Sequence, residues 1–309
     1  MLKSPEISGK NPVQGPFSLS DRAAYEAWKA EKLRGYGELL HAQPVAVPNL
    51  SQPNGAAMSE IRARIGKTNL AIYQTNATPM ADQDTRHAIR AFSEGFGLEI
   101  AEKHRSAGEQ GLVALRVTDS DRQRGYIPYS RRPMNWHTDG YYNSPAERIR
   151  GMILHCVHPA DDGGQNQFLD PEIVYIRLRD RDPDLVAALM HPEAMTIPEN
   201  READGSLRPA SVGPVFWVDP NGHLAMRYTA RTRSISWRQT PATDAATKAL
   251  TEILAEEEMG LLTTRLGPGQ GILCNNVLHN RTGFDPDNSK SSARLIFRVR
   301  FHNRVDGGP

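Results

Sequence analysis

Polar and apolar positions along this chain follow two different periods. From Ser20 the stretch SDRAAYEAWKAEKL opens on residue types that cap helices and brings Tyr25 and Trp28 to one face, which predicts a helix. A proline-rich crossing, PVAVPNLSQPNG, follows, and NLAIYQT then reads as a short strand. The segment TPMADQDTRHAIRAFSEGFG predicts a second helix. Thr78-Pro79 starts it, Ile89, Phe92 and Phe96 form its stripe, and Gly95 or Gly97 ends it. From about Gly111 the period shortens to two. GLVALRVT, MNWHTDG and GMILHCVHP are strand candidates, and PVFWVDPNGHLAMRYT is a hairpin turning at Pro220-Asn221-Gly222. A helix interrupts at TDAATKALTEILAEEEMG, with Leu250, Ile253 and Leu254 on its apolar face and Gly260 as its C-cap. Two strands follow, QGILCNNVLH and ARLIFRVRF, before a polar tail.

Many short strands, no βαβ alternation and few helices predict a mainly β chain with helical cover, built on a double-stranded β-helix (jelly-roll) core. No repeat or low-complexity linker divides the 309 residues. The expectation is a single domain over 1–309, with 1–18 as a mobile lead-in and about 70–302 as the jelly-roll core with insertions. Composition adds exclusions. Lys+Arg 37 against Asp+Glu 36 leaves a formal charge of +1, which offers no basic footprint for nucleic acid or an anionic membrane. No stretch approaches the roughly 20 apolar residues of a membrane helix. Cys156 and Cys274, without CxxC spacing, read as buried thiols in a reducing compartment. A cytoplasmic protein acting on a small molecule is expected, with homo-oligomers allowed.

The stretch NWHTDGYY, Asn135 to Tyr142, concentrates the chemistry. On a strand, Asn135, His137 and Asp139 share one face, so an imidazole and a carboxylate lie close enough to share an ion. Short His-x-Asp patterns also arise by chance, and a His–Asp hydrogen bond on a strand explains the pair equally well. Downstream, CNNVLHNRTGF places His279 after an apolar run, and ARLIFRVRF alternates Arg294, Ile296, Arg298 and Arg300 with Leu295, Phe297, Val299 and Phe301. That last strand is either half-exposed with a solvated basic face or a receptor for anions. Together His137, Asp139 and His279 have the composition of a two-histidine, one-carboxylate facial triad. Such a triad leaves one side of Fe(II) open.

At WHTDG (136–140), GGQN (163–166), NNVLHNRTGF (275–284) and RLIFR (294–298), the chain resembles the Fe(II)- and 2-oxoglutarate-dependent dioxygenases of the taurine dioxygenase superfamily, with clavaminate synthase-like enzymes as relatives. The resemblance covers roughly residues 70 to 302. It implies His137, Asp139 and His279 as iron ligands and Arg294, fifteen residues after His279, as the arginine for the distal carboxylate of 2-oxoglutarate. Family members commonly follow the paired glycines with an acidic residue and a threonine that helps hold the co-substrate; Gln165 and Asn166 stand there, and an Asn166 amide can donate to it. Arg298 stands where sulfonate-using members grip substrate; a salt bridge at the barrel rim is the competing reading. Asn135 either touches substrate or orients an iron ligand. The family chemistry takes up dioxygen, releases succinate and carbon dioxide, and hydroxylates a C–H bond, sometimes with desaturation or fragmentation. Related halogenases lack the carboxylate ligand, so Asp139 favours hydroxylation.

Other residues carry weaker signals. His155 and His158, three apart on a strand, face opposite sides and read as core or rim histidines. Tyr126, Tyr129, Arg131 and Arg132, with Arg227, Arg231 and Arg233, point to an anionic or amino-acid-like substrate if several converge. Two rivals remain at this stage: a zinc hydrolase, which needs a nearby general base that NWHTDGYY lacks, and a non-catalytic jelly-roll binding protein.

Overall fold

The computed structural model describes residues 15–76, 82–101, 111–117, 127–201, 205, 207–231, 235–256, 260–284 and 294–306. Thr78-Pro79, Tyr126, Arg233 and most of the expected lead-in lie outside them. Two sheets dominate. The larger runs Val45–Ala46, Leu70–Gln74, Gln270–Cys274, Gly151–His158, Leu295–Phe301 and Val113–Leu115 in spatial order. The smaller runs Leu261–Thr264, Asn166–Leu169, Leu278–Arg281 and Met134–His137. All pairings in both are antiparallel except the short edge pair Val45–Ala46 with Leu70–Gln74. This is the jelly-roll arrangement with helical cover.

Period-two burial explains why the larger sheet needs that cover. Leu295, Phe297, Val299 and Phe301 pack with Ile61 and Ile65 of the helix Gly55–Thr68 and Ile89 and Phe92 of the helix Asp82–Gly95. Ile296, on the opposite face, joins Cys156, Phe168 and Leu278 in the core between the sheets. The Leu295–Phe301 strand is therefore buried on both sides, and its arginines do not form a solvated basic face. Arg300 is 5% exposed. Both cysteines are buried free thiols.

Several local expectations are corrected. The run QGILCNNVLH is two strands, not one. Gln270–Cys274 belongs to the larger sheet and Leu278–Arg281 to the smaller, with Asn276 in the left-handed region at φ 49° between them. The helix Pro241–Ala255 ends at Glu256 and not at Gly260. The helix Gly55–Thr68, capped by the Asn54 side chain, follows the proline-rich crossing with a weak sequence signal, because its buried stripe of Ala57, Ile61, Ile65 and Thr68 holds only two large apolar residues. The local pattern does not announce Pro171–Arg181 and Pro183–Leu189 either. The run IVYI in the first of them has strand-like composition, yet Asp170 and Asp182 cap helix starts that have proline in the first turn. No described helix is long and apolar enough to cross a membrane.

Candidate active site

His137 is the last residue of the strand Met134–His137, and His279 lies directly opposite it in antiparallel register. Facing positions on paired strands put the two rings side by side, with centroids 4.2 Å apart. Asp139 arrives differently from the period-two expectation. The strand stops at His137, and Asp139 enters a turn that continues through Gly140 at φ 65°. A Cβ at Gly140 would lie 2.4 Å from the Ile149 side chain, so the turn demands glycine. One ligating atom from each of His137, Asp139 and His279 falls within 4.8 Å of the others, and all three residues are buried.

The backbone sets which atoms face inward. The Nδ1 of His137 lies 2.9 Å from the Asn135 carbonyl and that of His279 3.0 Å from the Val277 carbonyl. Donation there leaves each Nε2 with a lone pair for a metal. Asp139 Oδ2 is buried without a hydrogen-bond partner, while Oδ1 lies 3.5 Å from Arg298. Two imidazole nitrogens and one orphaned carboxylate oxygen suit Fe(II) held on one face. Burial, reinforced by His279 beside it, pushes the His137 imidazole down to about 3. Burial also lowers His279. For Asp139, burial works upward, but Arg298 and Arg300 together with the two imidazoles hold the carboxyl well below its usual range. At neutral pH the donors are thus in the protonation states a cation requires.

These depressed imidazoles have a consequence for the metal-free protein. His137 falls to about 3 and the buried His155 to about 4 from a usual value of 6.5. Below pH 6.5 the unfolded chain binds protons that the folded chain refuses, so stability is lost as pH falls from there toward 4. Each such histidine contributes up to about 1.4 kcal/mol per pH unit. Urea unfolding of the metal-free protein at about pH 7 and pH 5 measures this. Equal midpoints would show that the rings protonate in place.

Asn276, which lies in the NNVLHNRTGF stretch with no role assigned to it there, holds the carboxylate loop. Its Oδ1 accepts from the Asp139 amide at 2.8 Å, and its Nδ2 donates to the carbonyls of Asp139 at 3.0 Å and Ile149 at 2.8 Å. Glycine at 276 keeps the left-handed backbone and removes all three bonds. Asn276→Gly is expected to weaken Fe(II) binding about 10- to 100-fold in a protein that still folds. Calorimetric titration with Fe(II) checks it, and unchanged affinity would reduce Asn276 to a turn former.

The triad opens on a cavity of about 660 Å³. Asn135, Tyr129, Arg231 and Arg298 line it beside His137 and Asp139, so this part of the expected constellation converges. Thr229, bridged to His137, lines it too, with its buried Oγ1 lacking a hydrogen-bond partner; a lone threonine gave no sequence signal. Arg294 and Asn166 lie elsewhere, beside Arg281. Asn166 pairs with Arg281 in register and donates to the Asn280 carbonyl at 3.1 Å. Arg281 and Arg294 both sit against the Phe284 ring, at 4.9 and 5.1 Å. Arg281 is two residues beyond His279 on the same strand, a step of roughly 7 Å. Arg131 and Arg132 are exposed, His158 is exposed, and His155 bonds the Tyr73 hydroxyl at 3.1 Å. Arg227 is a buried structural residue that donates to the Ser211 hydroxyl and to the carbonyls of Met195 and Gly213.

Residues 73–300 match the sequence profile of the taurine catabolism dioxygenase TauD, TfdA family. The chain belongs to this family. Two relatives are uridine-5'-phosphate dioxygenases. The one from an Amycolatopsis species is 27% identical over 59% of this chain and 66% of its own length, just under two thirds. The one from a Streptomyces species is 28% identical over 73% and 84%. Among solved structures, a mutant of the non-haem iron oxygenase OrfP in complex with (3S)-hydroxy-L-Arg superposes with a TM-score of 0.59 at 14% identity, over 90% of this chain and 92% of that one. Asparagine oxygenase with Fe(II), 2S,3S-3-hydroxyasparagine and succinate gives 0.54 at 14%, over 90% and 92%. A taurine dioxygenase from Burkholderia xenovorans gives 0.55 at 15%, over 84% and 89%. This TauD/TfdA-family dioxygenase takes the family's cofactors, Fe(II) and 2-oxoglutarate, and the triad of His137, Asp139 and His279 fits the metal.

Proposed function

We propose that this dioxygenase couples oxidative decarboxylation of 2-oxoglutarate to hydroxylation of a C–H bond in a small anionic molecule held in the cavity beside His137 and Asp139. When bound, Fe(II) supplies the site at which 2-oxoglutarate and dioxygen react to yield succinate, carbon dioxide and an oxygen atom for the substrate. The chain's own residues do the rest. His137, Asp139 and His279 would hold the metal. Arg294, kept in place against Phe284, receives the distal carboxylate of 2-oxoglutarate through a charge-assisted fork, with Asn166 on the same side. Arg298 holds Asp139 Oδ1 and, with Asn135, meets the substrate.

The observation that carries the reading is the triad itself: three ligating groups, buried and convergent, with an orphaned carboxylate oxygen among the described residues, two of them, His137 and Asp139, on the wall of a cavity large enough for a small molecule. A zinc hydrolase or a binding protein has no need of the family's co-substrate. Anaerobic addition of Fe(II) and then 2-oxoglutarate to the metal-free protein is the test. A weak visible charge-transfer band, followed by succinate release on admission of oxygen, is expected. Metal binding without the band would overturn the co-substrate assignment.

A further inference from the structure

The charge around the cavity narrows the substrate class. Among the described residues five arginines line it, Arg201, Arg208, Arg231, Arg298 and Arg300, against two carboxylates, Asp139 and Glu199, a formal excess of three positive charges there. The whole chain carries only +1, so the excess is local. Loading the site does not remove it, because the two charges of Fe(II) and the two of 2-oxoglutarate cancel.

The arginines are also graded by depth. Arg298 and Arg300 are largely buried and act on Asp139, with Arg300 donating to the Tyr142 hydroxyl at 3.1 Å. Arg201 and Arg231 are exposed at the rim, and neither has a carboxylate partner among the described residues. Some exposed arginines elsewhere in this protein do pair, such as Arg90 with Glu94, Arg116 with Asp82 and Arg181 with Glu252. Arg208 donates to the Pro198 carbonyl at 2.9 Å and the Pro209 carbonyl at 3.3 Å and lies 5.7 Å from the Tyr142 ring centre, contacts that orient its guanidinium without neutralising it. Arg201 and Arg208 belong to the paired strands Asn200–Arg201 and Leu207–Arg208, so the rim charge is presented on a hairpin.

We infer that the substrate is a phosphomonoester of nucleotide size, with its phosphate at the rim on Arg201, Arg208 and Arg231 and its carbon skeleton reaching inward to His137 and Asp139. This rests on the dioxygenase reading above and deepens it. A phosphate dianion answers an excess of several positive charges, and arginine forks suit its oxygens. A zwitterionic amino acid gains no net attraction there, and its ammonium group would face guanidinium. The charge therefore sides with the uridine-5'-phosphate relatives against the amino-acid oxygenases that share the fold. In the oxidative step one C–H bond becomes C–OH, one oxygen atom of O₂ enters the product, the other enters succinate, and 2-oxoglutarate loses carbon dioxide.

Calorimetry under anaerobic conditions on protein loaded with Fe(II) and 2-oxoglutarate tests this, with uridine 5'-phosphate, ribose 5-phosphate, their dephosphorylated counterparts, L-asparagine and taurine as probes. At least one phosphate ester is expected to bind about tenfold or more tighter than its dephosphorylated counterpart and than either amino compound. The double variant Arg201→Gln/Arg231→Gln, altered only at exposed positions, is expected to lose about tenfold or more of that affinity. Equal binding of esters and counterparts, preference for an amino compound, no binding of any ester, or wild-type affinity in the double variant would each overturn the inference. The charge-transfer band read in the same samples separates the two readings. Its absence in wild type defeats the dioxygenase reading, whereas its presence with no phosphate preference defeats only the substrate class.

Discussion

His279→Ala is expected to abolish turnover and the charge-transfer band while leaving a folded protein. Its imidazole is one of three groups converging within 4.8 Å, and alanine removes both ring nitrogens, leaving the donors of His137 and Asp139 alone. Loss of residues that only orient a ligand costs about 10- to 100-fold in metal affinity, and loss of a ligand costs more. Fe(II) binding should therefore weaken by more than about a hundredfold. The side chain is buried against Phe168, so alanine also leaves a small gap, and circular dichroism is needed beside the titration. A folded variant that kept wild-type Fe(II) affinity would remove His279 from the ligand set. His137→Ala is expected to behave the same way, since the two rings are opposed in register.

The second large effect is expected at Arg294. Arg294→Ala should raise the 2-oxoglutarate requirement about 10- to 100-fold, the magnitude of losing a charge-assisted, two-pronged bond. Fe(II) affinity should stay near wild type, because Arg294 is outside the ligand cluster. Steady-state kinetics at varied 2-oxoglutarate, with Fe(II) titrated separately, gives that split. Burial lowers the Arg294 pKa from its usual value, yet the group stays cationic throughout the working range of any enzyme. Phe284, between Arg281 and Arg294, limits where the guanidinium can point, while Arg281 itself donates to the Ser130 and Arg132 carbonyls ahead of the ligand strand. An unaltered requirement in Arg294→Ala would move the co-substrate carboxylate to another cation.

Strand and helix identities were legible wherever a segment carries one clear period. The strand NLAIYQT and the helix around Ile89 and Phe92 came from local pattern, because one face of each packs on one core. The helices Gly55–Thr68, Pro171–Arg181 and Pro183–Leu189 were not legible. The stripe of the first holds only two large apolar residues, Ile61 and Ile65, beside Ala57 and Thr68. Pro171–Arg181 buries Ile173, Val174, Tyr175, Ile176 and Leu178 on more than one face, which blurs a helical period, and Pro183–Leu189 is short, with only Val186 and Leu189 buried. The basic alternation at Arg294–Arg300 was plain in the sequence, but its environment was not. A solvated face and a cavity wall give the same pattern, and only the opposing sheet distinguishes them.

For the site, the sequence by itself determined the donor types, their order and the presence of a carboxylate, since those depend only on which residues stand at 137, 139 and 279. It also carried the family resemblance that named the cofactors. Tertiary structure alone decided how the donors meet. Asp139 is delivered by a turn that needs Gly140 and is clamped by Asn276, 137 positions away, and a side-chain contact across that separation leaves no local periodic trace. The cavity arginines are not legible as a group in the sequence, where Arg201 and Arg208 carry no signal of their own. Arg201 and Arg208 come from one hairpin, Arg231 from the stretch after Thr229, and Arg298 and Arg300 from the Leu295–Phe301 strand. Charge in a chain of +1 gathers into a local excess only when folding brings such distant segments to one wall.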